Sequence, residues 1–192
     1  HEAYWPLLDM INTLYRSDQL TSLAHHYATR LLRSMVDQAQ ALYSQQERRQ
    51  RRVMLFCAET EADDLAAQMV ADLVEADGYE VFFGGGGVAW DEVLQEASEQ
   101  KPDVLLLFSS SGRDAPHIRV LIDTIREIGS CPDMQIVVGG GIFNRAEGLA
   151  EEIGADLWAT TPGELISKLN ENPLRRATPE QRTVGQHRAN AA

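Results

Sequence analysis

From residue 52 onward, short hydrophobic runs alternate with amphipathic stretches, and this alternation limits the fold more than any other feature of the chain. The runs are Val53–Ala58, Glu80–Phe83, Asp103–Phe108, Met134–Val138 and Asp156–Ala159. Each has the length and apolar density of a strand in a buried sheet. Between them, 62–77, 90–99, 115–128, 144–152 and 162–169 carry helical periodicity. Gly78 closes the first of these and Pro162 opens the last. Strict alternation with short links predicts a doubly wound, five-stranded parallel sheet with helices on both faces, an α/β fold of Rossmann-like or flavodoxin-like type.

Sheets of this kind bind ligands at the carboxyl ends of their strands, near the point where strand order reverses. Those ends are 59–62, 84–88, 109–114, 139–143 and 160–161. Most are rich in Gly and Ser, including Gly84–Gly87, Ser109–Ser110–Ser111–Gly112 and Gly139–Gly140–Gly141. Glycine admits backbone close to a ligand, while serine and main-chain N–H groups supply donors. The first turn differs from the others. Glu59–Ala66 holds Glu59, Glu61, Asp63 and Asp64 and no Gly, His or Lys.

Ahead of the alternating region, apolar residues at 4, 7, 8, 11, 14 and 15 predict a helix over 2–16. Ser17–Asp18 is expected to break it and cap a second helix from about 19 to 45. The apolar stripe expected on that helix is Leu20, Leu23, Tyr27, Leu31, Met35, Ala39 and Leu42. The organisation expected is therefore a helical cap (1–47), an α/β domain (52–170) and a flexible tail (171–192) that holds His187. Because the chain opens on His1, a segment upstream of the cap is expected as well. The arginine-rich Arg48–Arg52 reads as a solvated junction.

Several chemistries are excluded. The glycine run follows the second strand, so the dinucleotide fingerprint is missing, and G-K-[ST] is absent. The serine turn lacks the first glycine of a nucleophile elbow, and His117 is the nearest histidine. Adjacent His25 and His26 point about 100° apart on a helix, unlike an i, i+4 metal pair. A net charge of -12 argues against direct nucleic-acid binding. No apolar run is long enough to cross a membrane. The two cysteines, Cys57 and Cys131, suit a reducing, cytoplasmic setting. No catalytic constellation stands out, so the chain is expected not to be an enzyme.

The order Val53–Ala58, Asp77–Gly78–Tyr79–Glu80–Val81, Lys101–Ser109, Ile136–Gly140 and Ile153–Asp156 resembles the cobalamin-binding domain of methionine synthase, corrinoid carriers, base-off mutases and cobalamin-dependent photoreceptor regulators. Tyr15, nine residues and then His25–His26 resemble the helical cap of those proteins. By that resemblance Tyr15 stands for the tryptophan over the upper cofactor face, and His25–His26 for a Glu–His pair. Ser109, Gly139 and Gly140 stand for contacts to the cofactor's nucleotide tail, with Ser110 and Gly141 beside them.

The family's lower-ligand motif, D-x-H-x-x-G, reads here Glu61–Ala62–Asp63–Asp64–Leu65–Ala66. Asp63 replaces the cobalt-binding histidine, and Ala66 replaces the glycine that admits the nucleotide tail. The resemblance therefore implies cobalamin held base-on or by another unusual mode. Haem, a bilin or no cofactor are the alternatives. The function expected is a non-enzymatic sensor or transcription-regulating module, photoreceptor-like, acting through a protein partner or homo-oligomer. The alternatives are a corrinoid carrier subunit of a methyltransferase or mutase, and a ligand-free scaffold.

Overall fold

The computed structural model describes residues 3–182. Two helices come first, α1 (Tyr4–Arg16) and α2 (Ser22–Gln40). The alternating part follows as β1 (Arg52–Cys57), α3 (Glu61–Ala76), β2 (Glu80–Gly86), α4 (Trp90–Gln100), β3 (Val104–Phe108) and α5 (Ala115–Ile128). It continues through β4 (Gln135–Gly139), the short α6 (Gly141–Arg145) and α7 (Leu149–Glu152), β5 (Leu157–Trp158) and α8 (Pro162–Glu171). The five strands are parallel in the order β2-β1-β3-β4-β5. Strand order reverses between β1 and β3, which places the expected ligand crevice beside residues 58–63 and 109–111.

Side-chain alternation sorts the sheet into two cores. Val53, Leu55, Leu106 and Val137 pack toward α3 and α8. Met54, Phe56, Leu105, Leu107 and Ile136 pack toward α4 and α5. α3 is also covered on its outer side by α1 and α2, so twelve of its sixteen residues are buried, including Asp63 and Asp72. Its run of alanines permits this close approach from two directions. The helical pair is fastened by Arg33, which donates to Asp64 at 2.8 Å, to Gln68 at 2.6 Å and to the Glu61 carbonyl at 3.3 Å.

Four expectations are corrected. First, α2 begins after Thr21, whose hydroxyl accepts from the Ala24 N–H, while Ser17 caps the end of α1 through the Thr13 and Leu14 carbonyls. Asp18 takes a positive φ in the turn between the helices. Second, the face of α2 that is buried carries His25, Thr29, Leu32 and Val36. Most of the expected stripe faces outward, with Leu23 66% and Leu31 68% exposed and Tyr27, Met35 and Leu42 exposed as well, whereas Leu20 packs against the core and Ala39 is half-buried.

Third, Gly84–Gly86 belong to the edge strand β2, bulged opposite Leu55–Phe56, rather than to a ligand turn. A Cβ at Gly84 would come within 2.3 Å of the Phe56 ring, which explains the small residue there. Fourth, the described part of the tail is fastened to the body. The Ala177 N–H donates to buried Asp156, Gln181 to the Ala155 carbonyl, and Arg182 to Asp123, while Arg175 lies over the Trp158 ring. His1 and His187 lie outside the described residues. The arginine-rich junction is engaged too. Arg49 pairs with Asp77, Arg51 reaches the Leu169 carbonyl and Arg52 the Lys101 carbonyl.

Candidate functional site

A cavity of about 500 Å3 opens between α1 and the carboxyl ends of the strands. Its size falls in the usual range for small-molecule sites. One wall is a polar row of α1, Asp9, Asn12, Thr13 and Arg16, together with Trp5. The other is built from Ala62, Asp63 and Ala66 of α3, Ser110 after β3, Gly141 and Arg145 of α6, and Thr160–Thr161 after β5. The positions 9, 12, 13 and 16 share one face of a helix.

Asp63 forms part of the floor and is only 2% exposed. The N-cap residue Thr60 accepts from the Asp63 N–H at 3.0 Å and donates its hydroxyl to the Asp63 carboxylate at 2.6 Å. Ser110 also bonds the carboxylate. Burial outweighs these bonds and raises the Asp63 carboxyl above its ordinary range. Ser109 is equally buried, but its hydroxyl is committed to Asp114 at 2.6 Å and accepts the Ser111 N–H at 3.0 Å, so it shapes the turn. Gly140 adopts φ +106°, and a Cβ there would lie 2.2 Å from the Ser109 carbonyl oxygen. Only glycine lets these two strand ends meet.

The expected site residues divide in two. Asp63, Ser110 and Gly141 line the cavity, and Gly139 and Gly140 line a narrow apolar crevice beneath it. Tyr15, His25 and His26 lie elsewhere. Tyr15 stacks on His25 with ring centroids 4.2 Å apart, and His26 is exposed. Burial and its neighbour His26 lower the His25 pKa, and its Nε2 meets the Asn12 side chain at 3.0 Å, so it reaches the cavity only through Asn12. Glu61 receives Arg30 at 3.1 Å on the rim of the helical pair.

The aromatic ring over the cavity is Trp5, set edge-on to Phe108 at 6.3 Å. Arg16, Asn12 and Arg145 were also not foreseen. For Asn12 and Arg16 the one sequence signal is the polar row on the first helix, and Arg145 has none.

These residues do not fit a cobalt-bound imidazole with a displaced base. Among the described residues no histidine lines the cavity, and no group of three His, Cys, Asp or Glu is placed to hold a metal. The crevice between α3 and α8, walled by Val70, Leu106, Val138 and Leu165 and topped by Trp5, offers only about 20 Å3. Side chains on both walls, among them Asn12, Ser110 and Thr161, can hydrogen-bond a polar ligand.

Together, fold and site define an α/β domain with a cavity between a helical pair and the switch point of its sheet. The B12 binding domain model matches residues 51–167, and the chain belongs to that family. It is similar to dimethylamine corrinoid protein 1 of Methanosarcina acetivorans, 26% identical over 113 residues that cover 59% of this chain and 52% of the relative. It is equally similar to dimethylamine corrinoid protein 3 of Methanosarcina mazei, over 59% of this chain and 66% of that one. The chain thus spans between half and two-thirds of the length of these curated relatives.

Among solved structures, the Methanosarcina barkeri monomethylamine corrinoid protein shares the fold with TM-score 0.67 and 17% identity, covering 85% of this chain and 77% of the other. A methanol:cobalamin methyltransferase complex, MtaBC from the same organism, matches with TM-score 0.59 and 15% identity over 91% of this chain and 66% of that one. Among the described residues no helix is long and apolar enough to cross a membrane.

Proposed function

We propose that the chain is a corrinoid-binding module of the carrier type, which holds cobalamin in the cavity and presents it to a methyltransferase-class protein partner without itself making or breaking bonds. The observation that carries this reading is the cavity between α1 and the strand ends, in a chain of the B12-binding family. The relatives named as corrinoid proteins support the carrier reading more strongly than the regulatory module expected from the sequence. They support a corrinoid, and give no support to haem or a bilin.

In this reading Ser110, Asn12 and Thr161 bond the ring's amide edge, Trp5 covers an apolar part of it, and Asp63 lies buried beneath. When bound, the corrinoid supplies the methyl-carrying cobalt. One observation keeps the regulatory reading as a second candidate. Buried and internally bonded, Asp63 supplies no exchangeable cobalt ligand, and a sensor has less need of one than a carrier.

Titration with methyl- and hydroxocobalamin, followed by absorbance and gel filtration, tests the proposal. Stoichiometric co-elution is the expected result. A folded protein that retains neither form would overturn it. Methyl transfer in the presence of a partner methyltransferase separates the carrier from the regulator.

A further inference from the structure

Arg16 ends α1 and Arg145 ends α6, so two guanidinium groups face one cavity from opposite walls. Each is only partly engaged. Arg16 donates to the Thr13 hydroxyl at 2.9 Å, and Arg145 to the Ser110 carbonyl at 2.5 Å. Neither forms an ion pair within 4 Å among the described residues. Asp9 and Asp63 are the carboxylates that face Arg145, and Asp63 is drawn toward its neutral form. Burial, then the nearby charge of Arg16, holds Arg145 below the usual arginine range.

Both residues are exposed, and two like charges on opposite walls of one cavity lower their energy when an anion sits between them. Gly141 adds a second feature. A Cβ there would come 2.6 Å from Arg145 Nη1, so glycine leaves room for the guanidinium to lie across the start of α6.

We infer that Arg16 and Arg145 form a phosphate subsite that bridges the helical pair and the α/β body. Guanidinium forks match phosphate oxygens with paired hydrogen bonds. The inference rests on the corrinoid reading for the source of the phosphate, which is the phosphodiester in the nucleotide loop of cobalamin. The crevice of about 20 Å3 has no room for that loop's base, so the loop stays in the cavity within reach of both arginines. A free phosphorylated small molecule would use the same chemistry.

Equilibrium dialysis of cobalamin against cobinamide, which has the same ring without the nucleotide loop, tests this on the full chain, its Arg145→Gln and Arg16→Gln variants, and Gly141→Ala. The unaltered chain should prefer cobalamin by about tenfold to a hundredfold, as expected for one or two charge-assisted bonds. That preference should shrink in each variant while far-UV circular dichroism is unchanged. Equal affinity for the two ligands, or a preference that all variants retain, overturns the subsite and leaves the corrinoid reading standing.

Binding of neither ligand overturns the corrinoid reading instead. Inorganic phosphate then decides the subsite. A rise in Tm with phosphate that is lost in Arg145→Gln assigns it to a free phosphate compound, and no rise overturns it.

Discussion

Asp72 sits on α3 under the end of α2, where docking of the helical pair seals it from water. One carboxylate oxygen accepts from Gln40 at 2.9 Å, and the other is buried without a partner among the described residues. Burial, followed by repulsion from Glu75 and Asp37, pushes the carboxyl from an ordinary 3.8 to about 6. At roughly 1.36 kcal/mol per pKa unit, that rise amounts to about 3 kcal/mol of folding free energy. The folded protein binds the proton more tightly than the unfolded chain does. The protonated form therefore stabilises fully below pH 3.8, and the contribution is lost as pH rises through about 6.

Asp72→Asn keeps an acceptor for Gln40 and removes the charge. Allowing about 1–2 kcal/mol for an amide N–H left without a partner, it should stabilise the protein by about 1–2 kcal/mol at neutral pH and not at all below pH 3.8. Urea unfolding of both proteins across this range measures the difference. A difference that does not change with pH would refute the reasoning, because the cost would then not be electrostatic.

Two further outcomes follow from the geometry. Gly140→Ala places a methyl group at a backbone conformation close to glycine-only and against the Ser109 carbonyl. It should cost at least about 1–3 kcal/mol and lower Tm together with ligand affinity. An unchanged Tm would mean that the two turns move apart freely. Arg33→Ala removes the bonds to Asp64, Gln68 and the Glu61 carbonyl. It should cost about 1–3 kcal/mol and speed hydrogen exchange in α1 and α2 while β1 and β3 stay protected. Uniform acceleration would show that the helical pair does not open separately.

The α/β architecture was legible because each of its strands is an apolar run bounded by turn residues, and that pattern has few alternatives. The second helix was misread for a physical reason. Its buried face contains His25 and Thr29, whose polar atoms are satisfied locally by Asn12 and by the His25 carbonyl, while Leu23, Tyr27, Leu31 and Met35 face outward. Hydrophobic period alone therefore pointed to the wrong side.

The acidic turn stands out in the sequence, but only folding reveals that Asp63 is buried and bonded to Thr60. Arg16 and Arg145 are 129 residues apart in the sequence. Nothing in their local surroundings marks them as a pair until the fold places both on one cavity. Trp5 was overlooked in the same way, since spacing drew attention to Tyr15, which the structure stacks on His25 instead.

The central claim is that the cavity holds a corrinoid without a cobalt ligand from the protein. Electron paramagnetic resonance of cob(II)alamin bound to nitrogen-15-labelled protein tests it most directly, because the nitrogen splitting identifies the axial donor. The account predicts the splitting of the cofactor's own unlabelled base, unchanged by labelling, and a labelled-nitrogen pattern only in the Asp63→His/Ala66→Gly variant. A labelled-nitrogen pattern in the unaltered chain, or no bound signal at all, would contradict it.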